Sequence, residues 1–194
     1  MAQVLLFHHV QGLTAGVLAF ADDLRAAGHT VHAPDLFDGH TFDSVEEGFG
    51  YVQGLPDGEV ARRTEAAVAG LPEALVYAGF SWGVVRAQSL AQTRPGARGA
   101  LLYESCVPVT GEWAFGPWPA GVPVQVHGKL GDEFFDEDLP AARELVETLG
   151  PDLAELFTYD GDQHLFADRS LPSYDREAAA LLTQRTLAFL AHVG

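Results

Sequence analysis

An α/β fold in three layers, with helices covering both faces of a mostly parallel sheet, is the class this sequence predicts, and three observations predict it. Apolar, β-favouring runs alternate with stretches of helical spacing along the whole chain, the pattern of repeated βαβ units. The runs are continuously apolar rather than alternating, as strands buried on both faces are. The residues able to do chemistry stand just after the runs, where ligands gather at the carboxyl ends of parallel strands. About six strands are expected, in a single domain over residues 1–194.

The first strand, Val4 to Phe7, runs into His8-His9-Val10-Gln11-Gly12. Helical spacing follows over Gly16 to Ala27, and Gly28-His29 stops it, since glycine accepts the left-handed conformation that ends helices. The second strand is Thr30 to Ala33, and Ser44 to Leu71 reads as helix in two or more pieces. The third, Ala74 to Ala78, enters Gly79-Phe80-Ser81-Trp82-Gly83 and then a helix over Val84 to Thr93. After the fourth, Gly99 to Tyr103, come Glu104-Ser105-Cys106 and an irregular aromatic stretch to Gly121. That stretch is too short for a lid domain and reads as a loop walling the site, with Trp113, Phe115 and Trp118 as its pocket residues. The fifth strand, Val122 to Val126, leads through His127 to Asp132 into a helix over Leu139 to Leu149, which Leu139-Pro140 starts. The sixth, Leu156 to Tyr159, is followed by Asp160 to His164, and the last helix spans Tyr174 to Val193.

Composition narrows the function. There are 27 acidic residues against 11 basic ones, a net charge of -16, which repels phosphate backbones and anionic membrane surfaces, so neither nucleic acid nor membrane is an expected partner. Cys106 stands alone, which excludes an intrachain disulfide and a cysteine zinc site. No basic segment precedes an apolar one, and no hydrophobic stretch approaches about 18 residues. A cytoplasmic protein is expected, as monomer or homodimer.

Gly79 to Gly83 is a G-x-S-x-G turn between strand and helix. Such a turn holds the serine in a strained conformation and aims its hydroxyl toward the amino end of the following helix. A serine hydroxyl is a weak nucleophile, and needs a base within hydrogen-bond reach and a third group to orient that base. Asp132 after the fifth strand and His164 after the sixth supply both in the order serine, acid, histidine. Taken alone, each has a duller reading: a histidine in a polar loop is usually solvated, and an aspartate after glycine usually forms a turn or caps a helix. Their joint placement with Ser81 at one sheet edge favours the chemical reading. Glu104, Glu133, Asp136 and Asp162 are rival acids, and His127 is a rival base whose place in or next to a strand favours a structural role. The oxyanion of acyl transfer would be held by the backbone N–H groups of Val10 and Trp82. His9, Gln11 and Phe166 complete the expected substrate pocket. Adjacent residues His8 and His9 point to opposite faces, so a shared metal ion is not expected.

Over nearly its whole length the chain resembles the dienelactone hydrolase family of α/β hydrolases. The residues that carry the likeness are Val4 to Gly12, Gly28 to Phe37 with its Ala33-Pro34-Asp35-Leu36-Phe37 segment, the elbow, His127-Gly128-Lys129 through Asp132, and His164-Leu165-Phe166-Ala167. The resemblance implies a small α/β-hydrolase sandwich without a lid domain, and hydrolysis of an ester or lactone with no cofactor. It also implies that the usual amino-terminal hairpin is missing here. The best known members carry cysteine where Ser81 stands and a glutamate where His9 stands. Ordinary serine chemistry is then expected, because a carboxylate kept to help ionise a thiol has no task beside a hydroxyl. Such members also hold a substrate carboxylate with an arginine shortly after the catalytic histidine, and Asp168 occupies that place. An aspartate there is expected to repel an anionic lactone, leaving a small neutral ester or lactone. A non-catalytic binding or signalling protein on the same fold, an acyltransferase or a thioesterase are the alternatives.

Overall fold

The strands form where apolar runs can be covered from two sides. The computed structural model describes residues 1–194, with strands β1 (Gln3–Phe7), β2 (Thr30–His32), β3 (Val76–Phe80), β4 (Gly99–Tyr103), β5 (Val124–Leu130) and β6 (Ala154–Asp160). The helices are α1 (Ala15–Ala26), α2 (Val45–Gly54), α3 (Glu59–Val68), α4 (Trp82–Thr93), α5 (Glu133–Leu149) and α6 (Arg176–Val193). All strands join one sheet in the order β2-β1-β3-β4-β5-β6, and every neighbouring pair is parallel.

Strand side chains alternate between the faces, and each face has its own core. Val4, Leu6, Ala78, Phe80 and Leu101 meet Val17, Phe20 and Leu24 of α1 and Leu182 and Phe189 of α6. Leu5, Phe7, Tyr77, Leu102 and Val126 meet Val84 and Ala87 of α4 and Phe135 and Leu145 of α5. Burying a side chain such as Leu24 or Leu145 fully contributes about 1.5–3 kcal/mol. Tyr51 and Val52 of α2 and Val68 of α3 extend the second layer.

The expected pattern of strands and helices is present, with shifted boundaries. β3 continues through Gly79 and Phe80, since both still pair across the sheet, Gly79 with Phe7 and Leu102 and Phe80 with Tyr103. β5 runs on to Leu130 because its partner β6 extends to Asp160. The largest shift is at α5, which starts at Glu133 rather than Leu139. Asp132 caps it by accepting from the Phe134 N–H at 3.1 Å, and the acidic first turn suits the positive end of the helix dipole. Pro140 lies inside the helix at an exposed position, where the Asp136 carbonyl that loses its partner faces water. No helix is long and apolar enough to cross a membrane.

Candidate active site

Ser81 joins the end of β3 to the start of α4 with φ 46° and ψ −115°, a conformation that costs on the order of 1–3 kcal/mol. The flanking glycines make it possible. A Cβ on Gly79 would sit 2.5 Å from the Gly83 oxygen, and one on Gly83 would sit 2.6 Å from the His8 oxygen. The strained residue is held by its own N–H, which donates to the Tyr103 oxygen at 2.7 Å and continues the ladder.

Two loops bring the other groups to it. Ser81 Oγ lies 2.7 Å from His164 Nε2, and His164 Nδ1 lies 2.6 Å from Asp132 Oδ2. Asp132 is fully buried and the His164 side chain is 10% exposed. An Nδ1–H donated to the carboxylate leaves Nε2 free to accept the serine proton. Burial alone would lower the pKa of His164. The Asp132 hydrogen bond and the charges of Glu104, Asp132 and Asp138 outweigh it and hold the pKa above the ordinary histidine value. The second oxygen of Asp132 caps α5, so one residue fixes both the helix and the imidazole.

Trp82 opens α4, and the first N–H groups of a helix have no acceptor within it. Val10 sits in the turn after β1, where Gln11 N–H goes to His9 Nδ1 at 3.2 Å and Gly12 N–H to the His9 oxygen at 3.0 Å. Gly48 of α2 lies so close to the Val10 carbonyl that a Cβ there would meet it at 2.1 Å, so only glycine lets α2 pack directly on this turn.

Glu104 follows β4 directly, between the strands that lead to Ser81 and Asp132. It is 1% exposed, its φ is 63°, and neither carboxyl oxygen has a hydrogen-bond partner. Burial pushes its pKa up to about 7, moderated by His164 and the peptide groups of Ala167 and Phe166, with Asp132 adding to the rise. Of the other acids weighed, Glu133 is exposed, Asp136 accepts from Gly131 N–H and Asp162 from Gln163. His127 lies inside β5, bonded to Tyr159 Oη at 2.8 Å and Gln125 at 3.2 Å. Burial drives its pKa down to about 3.

Several expected pocket residues are elsewhere. Phe166 is fully buried in the core beside Tyr159, and Trp118 is buried with its Nε1–H on the Val122 oxygen at 2.8 Å, so both serve packing. Gln11 is buried and donates to the Phe42 oxygen, and Trp113 is 78% exposed. Phe115 lines a groove of about 530 Å³ with Val60, Thr64, Arg86 and Leu90. His9 is fully buried, with Nε2 2.8 Å from Asp168 Oδ2. Asp168 also accepts from Thr14 Oγ1 and from the N–H and Oγ of Ser170. Its carboxylate is therefore engaged inside the protein rather than presented to a substrate.

Two neighbours of the site escaped the sequence reading. The half-exposed ring of Phe134 lies 4.7 Å from that of His164. Had Asp132 been read as the α5 cap, helical phase would have turned Phe135 inward and Phe134 outward. Arg86 stacks over the Trp82 ring at 4.8 Å with no carboxylate partner.

The sequence model described as the dienelactone hydrolase family matches residues 1–194. No protein of curated function matches the chain significantly. Among solved structures, a proposed dienelactone hydrolase from Klebsiella pneumoniae is 21% identical with a TM-score of 0.72, over 98% of this chain and 87% of that one. The dienelactone hydrolase-like promiscuous phosphotriesterase P91 from metagenomic libraries is 20% identical with a TM-score of 0.74, over 100% and 87%. Thermogutta terrifontis esterase 2, phosphorylated by paraoxon, is 18% identical with a TM-score of 0.66, over 100% and 83%. These structures share the α/β fold described above.

Proposed function

We propose that this chain, which belongs to the dienelactone hydrolase family and is a carboxylic ester hydrolase, cleaves small neutral esters or lactones through Ser81, His164 and Asp132. The observation that carries the reading is the unbroken hydrogen-bonded line Ser81 Oγ to His164 Nε2 at 2.7 Å and His164 Nδ1 to Asp132 at 2.6 Å. His164 takes the Ser81 proton as Oγ attacks the carbonyl carbon, and the N–H groups of Val10 and Trp82 hold the oxyanion. His164 then protonates the leaving alkoxide, leaving an acyl-Ser81. Water, deprotonated by His164, attacks the acyl carbon; as the bond from that carbon to Ser81 Oγ breaks, the imidazolium returns its proton to Oγ and the acid leaves. Every proton and bond is accounted for by these residues and water. The acidic surroundings of His164, with Asp132, Glu104 and Asp138 nearby, favour a neutral acyl group.

Arg86 favours a second reading, in which the ester carries a remote carboxylate that meets the unpaired guanidinium. Paired substrates with and without such a carboxylate, tested on wild type and Arg86→Gln, separate the two. If Arg86→Gln leaves their kcat/KM ratio unchanged, the second reading is wrong.

The direct test of the mechanism is a fluorophosphonate probe followed by mass spectrometry of the Ser81 peptide. Wild type is expected to label at Ser81, and His164→Ala to label far more slowly. Equal labelling rates would overturn the assignment of His164 as base.

A further inference from the structure

We propose that Glu104 is a positioning residue for the reaction, acting as a second carboxylate on His164 from the strand between those that carry Ser81 and Asp132. The proposal rests on the reading of His164 as the base. The three strand ends are in step: Ser81 N–H donates to the Tyr103 oxygen at 2.7 Å and Glu104 N–H to the His127 oxygen at 2.6 Å. Glu104 therefore stands at the strand end between those that lead to the serine and the aspartate.

A carboxyl kept for packing would have its oxygens satisfied, because a buried polar group without partners is costly. Glu104 is 1% exposed, both its oxygens lack partners, and its backbone is left-handed at φ 63°. The groups that face it are His164 and the backbone N–H groups of Phe166 and Ala167, from the loop after β6, and Asp132, from the start of α5. His164 in turn faces Asp138 of α5, whose carboxylate is already engaged by Ser105 Oγ at 2.6 Å and Cys106 N–H at 3.2 Å. The Ser81 hydroxyl is neutral. Glu104 is thus the carboxyl near His164 that makes no hydrogen bond of good geometry, with only the Phe166 and Ala167 peptide groups close by. Protonation of the imidazole during attack and ionisation of Glu104 favour one another across a medium of low dielectric. The two groups titrate as a coupled pair.

The test compares pH profiles of kcat/KM for nitrophenyl acetate in wild type and Glu104→Gln, which keeps the shape and removes the charge. Without that charge the imidazolium is less stabilised. The acid limb should move to lower pH by roughly half a unit or more, and the plateau should fall about 3- to 10-fold as the base weakens. A merely structural defect lowers the plateau without moving the limb, and an unmoved limb overturns the proposal. NMR of the His164 ring protons in Ser81→Ala gives a reading independent of activity. The titration should show two steps with Glu104 present and one step in Ser81→Ala/Glu104→Gln. A single step in Ser81→Ala overturns the proposal even if Glu104→Gln cannot be folded. Failure of wild type to label at Ser81 would instead strike the proposed function, and the NMR comparison would still report on Glu104.

Discussion

Two buried histidine–aspartate pairs lie at the same edge of the sheet, and only one of them faces a nucleophile. His164 donates to Asp132 at 2.6 Å and presents its other nitrogen to Ser81 Oγ at 2.7 Å. His9 bonds Asp168 at 2.8 Å, and its other nitrogen accepts the Gln11 N–H at 3.2 Å. The first imidazole has one nitrogen left for chemistry, and the second has none. Asp168 is saturated as well, since Thr14 and Ser170 also donate to it. A histidine beside an aspartate is therefore not yet a base: what the second nitrogen meets decides. The saturated pair still serves the site, for it ties the turn carrying Val10 to the loop carrying His164.

Breaking the open pair should cost activity, and breaking the closed one should cost stability. The largest effect is expected for Ser81→Ala, a loss of kcat of the order of 10⁶ with little change in melting temperature. Asp132→Asn keeps an oxygen to cap α5 but favours the wrong imidazole tautomer, so kcat should fall about 10⁴-fold. Steady-state kinetics beside thermal melts check both. Asp168→Asn should do the reverse. Its amide would set an N–H₂ against the His9 N–H and the Thr14 hydroxyl or, turned over, against the N–H and hydroxyl of Ser170, donors facing donors, at a cost of about 1–3 kcal/mol. Urea unfolding would show that loss, while kcat falls less than about tenfold because Ser81, His164 and Asp132 are untouched. A kcat loss in Asp168→Asn as large as that in Asp132→Asn would erase the distinction between the pairs.

The open pair was legible in the sequence and the closed one was not. Ser81, Asp132 and His164 each follow an apolar strand in the order the chemistry requires, so the glycine-flanked turn and the strand ends together collect them. His9 and Asp168 are 159 residues apart, both in loops where periodicity says nothing about side-chain direction. The resemblance sets Asp168 where relatives hold a substrate group, and no local pattern pairs it with His9 instead. The aromatic residues failed for a related reason: in an irregular segment a core tryptophan such as Trp118 and an exposed one such as Trp113 have the same local signature. At α5 two helix-start signals competed, Asp132 and Pro140. The cap at Asp132 won because the proline could be tolerated on the exposed side.

The smallest expected effect separates the buried groups by pH. His8 is fixed as a neutral ring: Nδ1 donates to the His9 oxygen at 2.7 Å and Nε2 accepts the Leu36 N–H at 3.1 Å. Burial lowers its pKa to about 4. The unfolded chain binds a proton there near pH 6.5 and the native chain does not, so stability falls as pH drops from about 6.5 to 4. Asp168 behaves differently. Burial would raise its pKa, but the hydrogen bonds from His9, Ser170 and Thr14 bring it to about 2. Its contribution is complete above the unfolded value near 3.9 and is lost as pH falls through about 2. Urea midpoints measured from pH 7 down to 2.5 should therefore decline in two stages, each amounting to about 1–2 kcal/mol once solvent relaxation is allowed for. Asp168→Asn should shrink the lower stage and keep the upper one, and His8→Gln should reduce the upper one, leaving the part contributed by His127, whose pKa burial also lowers. If Asp168→Asn instead removed the decline above pH 4, the charge in the closed pair would be shared differently from the arrangement its hydrogen bonds describe.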